Sequence, residues 1–465
     1  MISYALITLL LQIFSYVFPP QTAYLTGSVV NTFFSVIIVF LAAYWLFKKD
    51  YRGWLVIAAE IILGGSGNYL NLDGVSLRTT LLIVSVIIYL FTFLKDDWQD
   101  FKTNHNFRFG VISIFALLLV TSLGAVNGYL HYHNLTSTIA DLIPYGYFLY
   151  FLPLRRLLTN PDFIRETKKM LPAAIIIYSA LFFFTFIGFS TGLFQVHDLY
   201  YWWWRDVVLG KATDLGFNFY RLVMDLQLLL VPIALYYANK IIQKTVEKLD
   251  YHLLALLLVT LSINLTRVYY LAFFIGLVAL VSKIHWKRYT LTFASTLLFV
   301  FLSFTAIHFT TSLGKSLGWE IFGLRLQSIA SPNLENSSLN RMILLPKIWE
   351  KIKTNPIVGE GLGATVTAFS PITKNTDTTP HFDWGYLEIW AELGAIGLLL
   401  WIALIIYTTY LLIKNKDSRF MLSALVSLLV INLTSPALFH VLGVIFLVFL
   451  LSNTVKESTK LTHAS

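Results

Sequence analysis

The sequence predicts an all-α polytopic membrane protein of about 12 to 14 transmembrane helices with one large extracytoplasmic loop. Three observations carry that expectation. The mean hydropathy is +0.70, with 57% hydrophobic and only 13% charged residues, where soluble domains carry about 25% charge. Apolar runs close to the ~20 residues that cross a ~30 Å hydrocarbon core recur along the whole chain. Lys and Arg gather in alternate connections between those runs.

Taken in order, the runs cover residues 2–18, 25–47, 53–70, 76–94, 109–130, 137–154, 170–194, 217–238, 251–265, 267–283, 289–308, 385–412, 420–435 and 437–452. The first lacks a basic leader and a small-residue cleavage site before Pro19-Pro20, so it reads as a retained helix. The nearly continuous stretches 251–283 and 420–452 each divide in two. Without the first division Arg267 would lie at mid-membrane, and Pro436 interrupts the second stretch.

Alternating the fourteen runs puts 22 of the 34 basic residues on one side, in connections such as KKDYR (48–52), RRLLTNPDFIRETKK (155–169) and KIHWKR (283–288). By the positive-inside rule that side is cytoplasmic, and both termini lie there. The chain then divides into an N-terminal bundle of about 11 helices (1–308), an extracytoplasmic loop (309–384), C-terminal helices (385–452) and a cytoplasmic tail (453–465). The net charge of +9 is largely this topogenic bias, and no basic helix or RNA-binding motif points to a nucleic-acid partner. The absence of Cys excludes disulfides, thiolate metal sites and a Cys nucleophile.

Two outward segments exceed simple turns. One is QVHDLYYWWWRDVVLGKATDLG (195–216), whose aromatic run suits a membrane interface or a platform for sugar rings or a lipid chain. The other is the loop over 309–384. There Leu344, Leu345, Ile348, Trp349 and Ile352 recur at helical spacing and predict an amphipathic helix on the membrane surface. Asn355-Pro356 ends that helix, and Gly359, Gly361 and Gly363 then predict a flexible, backbone-exposed turn. A nucleotide-binding loop is excluded, since no strand precedes these glycines and no GK[ST] follows.

The informative charges face outward: Arg221, Arg267, Arg341, His381, Asp383, Glu388 and Glu392. Ionisable groups at membrane depth are costly and mark cavities or partners. Arg267, within SINLTRVYYLAFFIGL, lies between two short apolar runs where topology needs no cation; its fork of donors suits a phosphate. In TPHFDWGYLEIWAELGAIG (379–397), Glu388 and Glu392 occupy the first turns of a helix, where the dipole favours carboxylates.

The order of these motifs resembles the O-antigen ligase and polysaccharide polymerase superfamily of bacterial membrane enzymes. Thr266-Arg267 resembles that family's (S)R motif at an outer helix junction. Arg341 and Asn355-Pro356-Ile357-Val358-Gly359-Glu360-Gly361-Leu362-Gly363 resemble its loop Arg and glycine segment. Tyr386-Leu387-Glu388 through Ala391-Glu392-Leu393-Gly394 resembles its junction into the next helix, and GGSGNYLNLDGVSLR from Gly64 is similar to its N-terminal half. The specific motifs fall within residues 264–397. One departure stands out: the family's His aligns with Asp383, while His381 lies two residues earlier.

The resemblance implies an architecture like the GT-C glycosyltransferases and transfer of a glycan from undecaprenyl pyrophosphate to an acceptor hydroxyl at the outer face of the bacterial inner membrane. It implies inversion, no metal and no cofactor; between polymerisation and ligation, which differ only in acceptor, polymerisation is expected as the broader class that needs no specialised acceptor. Arg267, Arg341 and Arg221 would hold the pyrophosphate, His381 or Asp383 would serve as base, and Glu388, Glu392 and Tyr386 would support them. The implied partners are the lipid-linked donor, a glycan or surface acceptor, membrane lipid, and a chain-length regulator or flippase. The competing expectation is a transporter of polysaccharide or lipid-linked oligosaccharide. Against it, the two halves show no clear repeat and the charges cluster on one side.

Overall fold

The computed structural model describes residues 1–281, 285–331, 336–370, 375–380, 382–415 and 418–462. In chain order the helices are α1 (Ile2–Val17), α2 (Val29–Phe47), α3 (Tyr51–Leu63), α4 (Leu77–Thr103), α5 (His105–Tyr132), α6 (Leu135–Gly146), α7 (Phe151–Leu157), α8 (Pro161–Ser190) and α9 (Leu199–Asp206). They continue as α10 (Leu230–Ile242), α11 (Lys248–Asn264), α12 (Arg267–Ala279), α13 (Trp286–Thr311), α14 (Trp319–Ala330), α15 (Asn336–Thr354), α16 (Gly385–Lys414), α17 (Arg419–Ile431) and α18 (Val441–Thr462). Among the described residues three small antiparallel strand pairs interrupt them: β1 (Asn71–Leu72) with β2 (Val75–Ser76), β3 (Gly210–Asp214) with β4 (Tyr220–Met224), and β5 (Val366–Ser370) with β6 (Asn375–Thr379).

Among the described residues, seven helical segments are long and apolar enough to cross a membrane: α2, α4, α5, α8, α13, α16 and the stretch 225–242 that ends in α10. Four shorter apolar helices accompany them: α1, α12, α17 and the first part of α18. The protein is therefore an all-α polytopic membrane protein. Large apolar side chains on the lipid-facing surface, such as Phe40 and Phe91, stay exposed, as expected where hydrocarbon is the solvent. Several starts are written in the sequence as N-caps. Asp50, Asn104, Asn134 and Asn160 each accept a backbone N–H from the first turn that follows, a device worth about 1 kcal/mol apiece.

The chain folds as two compact units that interleave in sequence. The first comprises residues 1–95, 156–266 and 280–319. It packs α1 and α3 on α8, and α11 on α8 and α13. A buried ion pair joins Arg78 of α4 to Glu60 of α3 at 2.8 Å; Arg78 also donates to the carbonyls of Gly65 and Ser66, which pins the loop 64–76. The second unit comprises 96–155, 267–279 and 320–465. It packs α5 on α16 and α12 on α17, where Ser423 Oγ donates to Gly276 O at 2.6 Å.

Two expected spans take a different form. The run 137–154 is α6, a 3₁₀ turn over Tyr147–Tyr150 and α7, because Pro144 and Pro153 remove helix donors. The run 217–238 begins as strand β4, whose Tyr220–Met224 pairs with Gly210–Asp214. Both expected divisions are present: α11 stops at Asn264 with Leu265 left-handed (φ 48°), and α17 stops at Ile431, ten residues before α18 begins at Val441.

Candidate functional site

Arg267 is the first residue of α12, and the local sequence sets that start. Asn264 Oδ1 accepts the Thr266 N–H at 3.0 Å, and the left-handed Leu265 turns the chain between the two helices. Within the second unit, the Arg267 guanidinium donates to Ser338 Oγ on α15 at 2.7 Å and to the Arg325 carbonyl on α14 at 3.3 Å. Arg341 follows Ser338 by three residues, so the two share one face of α15. The residue gripped by Arg267 and the second cation are thus one helical turn apart.

Arg341 faces Asp383, with Nε 3.9 Å from Oδ2, an attractive distance but too long for a hydrogen bond. Its buried Nε has no hydrogen-bond partner among the described residues. Asp383 is about half exposed and holds a left-handed backbone (φ 57°), a conformation Asp tolerates better than most residues. Two contacts fix that turn. Buried Glu388 accepts the Phe382 N–H at 3.1 Å, and Trp384 Nε1 donates to the Arg341 carbonyl at 3.2 Å. The second also ties the start of α16 to α15. Below them Leu344, Ile348 and Ile352 of α15 pack with Val366, Phe382 and Ala391, so this face of the expected amphipathic helix is core.

The other candidates occupy different places. Glu392 is buried one turn beyond Glu388, and its Oε1 has no hydrogen-bond partner among the described residues. Tyr386 donates its hydroxyl to the Leu429 carbonyl of α17 at 3.0 Å, a helix-to-helix tie. Arg221 lies on β4 of the first unit, where it donates to the Asn264 carbonyl at 2.9 Å and to Thr266 Oγ1 at 3.0 Å. It therefore braces the end of α11, immediately before Arg267 in the chain. His381 lies outside the described residues.

The glycine segment corrects an expectation. Residues 359–364 are buried rather than backbone-exposed, and their amides are used within the fold. Gly394 breaks α16 with a left-handed backbone (φ 66°), which frees main-chain groups in the helix. Glu360 N–H donates to Ala391 O at 2.8 Å and Gly361 N–H to Glu392 O at 2.9 Å, while Ala395 N–H returns to Pro356 O at 2.9 Å. On its other side the loop meets α5 and α6: Leu362 N–H donates to Gly124 O at 3.0 Å, and Gly363 N–H to Asp141 Oδ2 at 2.8 Å. The segment is a plug that joins three helices, with no open nest for an anion among these amides.

A clamp that the spacing did not announce holds the plug. Glu360 accepts from Lys351 Nζ at 2.7 Å and from the Tyr132 hydroxyl. Burial alone would raise its pKa, but these hydrogen bonds and the ammonium charge outweigh burial and lower it. The available signal was the lone carboxylate between two glycines, nine residues after a lysine. Asp141 carried none, being the single charged residue of a short helix with no partner at a telling spacing.

A family model described as O-antigen ligase matches residues 252–402. No curated protein matches the chain. The matched stretch contains Arg267, Arg341, the glycine plug and the Asp383 junction. Over that stretch, about a third of its length, the chain is similar to the O-antigen ligase family.

Proposed function

We propose that the protein transfers glycan from an undecaprenyl-pyrophosphate-linked donor to an acceptor hydroxyl at the outer face of the bacterial inner membrane, as a polysaccharide polymerase. The similarity of residues 252–402 to the O-antigen ligase family supports glycan transfer in general. The observation that carries the finer reading is Arg341 facing Asp383 at 3.9 Å, beside the α15 turn that Arg267 grips. Polymerisation is the reading adopted because a second lipid-linked repeat unit serves as acceptor.

In this reaction the acceptor oxygen attacks the anomeric carbon, and the bond from that carbon to the pyrophosphate oxygen breaks. Undecaprenyl pyrophosphate leaves with the bonding electrons, and the acceptor proton passes to a base. A single displacement of this kind inverts the anomeric centre. Arg267 and Arg341 stabilise the charge that develops on the leaving group. Asp383 is the base we favour, because the Glu388 and Trp384 contacts hold its turn in place. Outward sidedness follows from the 22 basic residues in alternate connections. Hydrogen bonds among connections assigned to one side, such as Thr22 to Asp206 and Asn71 to Gln21, support it.

The test is release of undecaprenyl pyrophosphate, formed once per glycosidic bond, by purified protein in proteoliposomes given lipid-linked repeat units. Stoichiometric release coupled to glycan growth supports the reading. Donor left intact under conditions where the wild-type protein is folded refutes it.

A further inference from the structure

The aromatic run at 200–204 remains outside the chemistry above, and in the first unit it borders a polar cleft. α9 turns this run at helical period. Trp203 and Trp204 point inward, Trp203 donating to Ser15 Oγ at 3.2 Å, while Tyr201 and Trp202 stay partly exposed. Trp202 stacks on exposed Tyr24, with centroids 4.3 Å apart, and the Arg205 guanidinium lies 5.5 Å from the Trp202 ring.

Beside this platform, a cavity of about 250 Å³ is lined by Gln21, Thr22, Asn68, Asn71, Ser76 and Asp206, among others. It adjoins a second, of about 500 Å³, that shares Asp206 and Leu209 and adds Tyr201, Arg205 and Lys211. The larger volume falls within the range of about 300 to 1,000 Å³ typical of small-molecule sites.

The walls are held from three connections. Thr22 Oγ1 donates to Asp206 Oδ2 at 3.1 Å, Asn71 Nδ2 to Gln21 O at 2.8 Å, and Ser66 Oγ to Val207 O at 2.5 Å. The buried Arg78–Glu60 pair secures the loop that carries Asn68 and Asn71. Asp206 keeps Oδ1 without a hydrogen-bond partner among the described residues, and neither Arg205 nor Lys211 forms an ion pair there.

Amides, hydroxyls and one open carboxylate beside an aromatic face are groups that bind sugar hydroxyls and the apolar face of a pyranose. Two cations without acid partners add a seat for a carboxylate. We propose that this cleft binds a glycan segment bearing an acidic sugar, with its hydroxyls on Asn68 and Asp206, a ring against Tyr201, and its carboxylate on Arg205 and Lys211. Choosing a glycan as the occupant rests on the transfer reading above, whereas the cleft and its charges do not.

The experiment is equilibrium binding of hexuronate oligosaccharides to the full-length protein in phosphatidylcholine nanodiscs, followed by tryptophan fluorescence and saturation-transfer NMR. Neutral malto-oligosaccharides and short-chain phosphatidylglycerol serve as competitors. The expected result is saturable binding that weakens roughly 10- to 100-fold in Asp206→Ala, the loss expected for hydrogen bonds to a charged group. Tyr201→Ala should also weaken it, and Arg205→Ala with Lys211→Ala should remove the preference for acidic over neutral sugar. Arg267→Ala should bind as wild type does, which separates failure of the cleft from failure of the transfer chemistry. Oligosaccharide binding that is absent, or indifferent to both Asp206→Ala and Tyr201→Ala, overturns the proposal. So does displacement by phosphatidylglycerol at equal concentration, which would make the cleft a headgroup site.

Discussion

Replacing Gly361 by Ala should unseat the plug that joins α5, α6 and α16. A Cβ at Gly361 would lie 2.1 Å from Gly128 N, 2.4 Å from Gly128 Cα and 2.8 Å from Gly124 O, all backbone atoms of α5 that cannot swing aside. The backbone is also left-handed there, with φ +97°. Such strain costs about 1–3 kcal/mol and overpacking a tight contact about 1–3 kcal/mol more, for a total of roughly 2–6 kcal/mol. For a unit of roughly 200 residues each kcal/mol moves the midpoint by about 2–4 °C, so the apparent Tm should fall by at least about 4 °C. The assay is dye-reported thermal unfolding of detergent-purified protein, with Gly192→Ala alongside. Gly192 has a similar backbone (φ +76°) but open space around its Cβ position, so its substitution carries only the conformational cost, about 1–2 kcal/mol. If Gly361→Ala melts no lower than Gly192→Ala, the close approach of plug and α5 is not what stabilises the unit.

Further outcomes follow from the same contacts. Arg267→Ala should reduce glycan transfer by at least about 10²-fold while leaving the protein in the membrane, measured as product per membrane-inserted protein. Asp383→Asn should lower transfer by roughly 10²- to 10⁴-fold, against a smaller loss in His381→Ala; the reverse order would move the base to His381. Glu360 has its pKa lowered on folding, so its contribution is fully present above the ordinary carboxylate value near ~4.3 and is lost as pH falls through the folded value. Apparent Tm should therefore fall as pH drops below about 4.5, and Glu360→Gln should reduce that dependence, read from melting curves between neutral and acidic pH.

The membrane fold was legible because crossing hydrocarbon demands length and apolarity, both of which are local properties. The break at Asn264 and Leu265 was legible for a related reason: an Arg at mid-membrane would be too costly, so the chain had to turn beside Arg267. What hydropathy could not separate was a strand from a helix in an apolar run, which is why β4 was read as part of a span. The glycine segment was misread for a different reason. Its positive φ angles were legible, but the atoms occupying the space around it come from Gly124, Gly128 and Glu392, and no local pattern reports such contacts. The acidic junction was found, yet its members divide. Asp383 faces Arg341, Glu388 holds the turn and Tyr386 ties α16 to α17, distinctions that arise from packing alone.

The central claim is that this protein makes a glycosidic bond at the expense of a lipid pyrophosphate. The most direct measurement places purified protein in proteoliposomes with lipid-linked oligosaccharide from its own host and separates the products on a gel. A ladder of lengthening glycan that disappears in Arg267→Ala is the predicted result. Lipid-linked sugar that changes leaflet with no new bond formed would contradict it, and would make the protein a transporter.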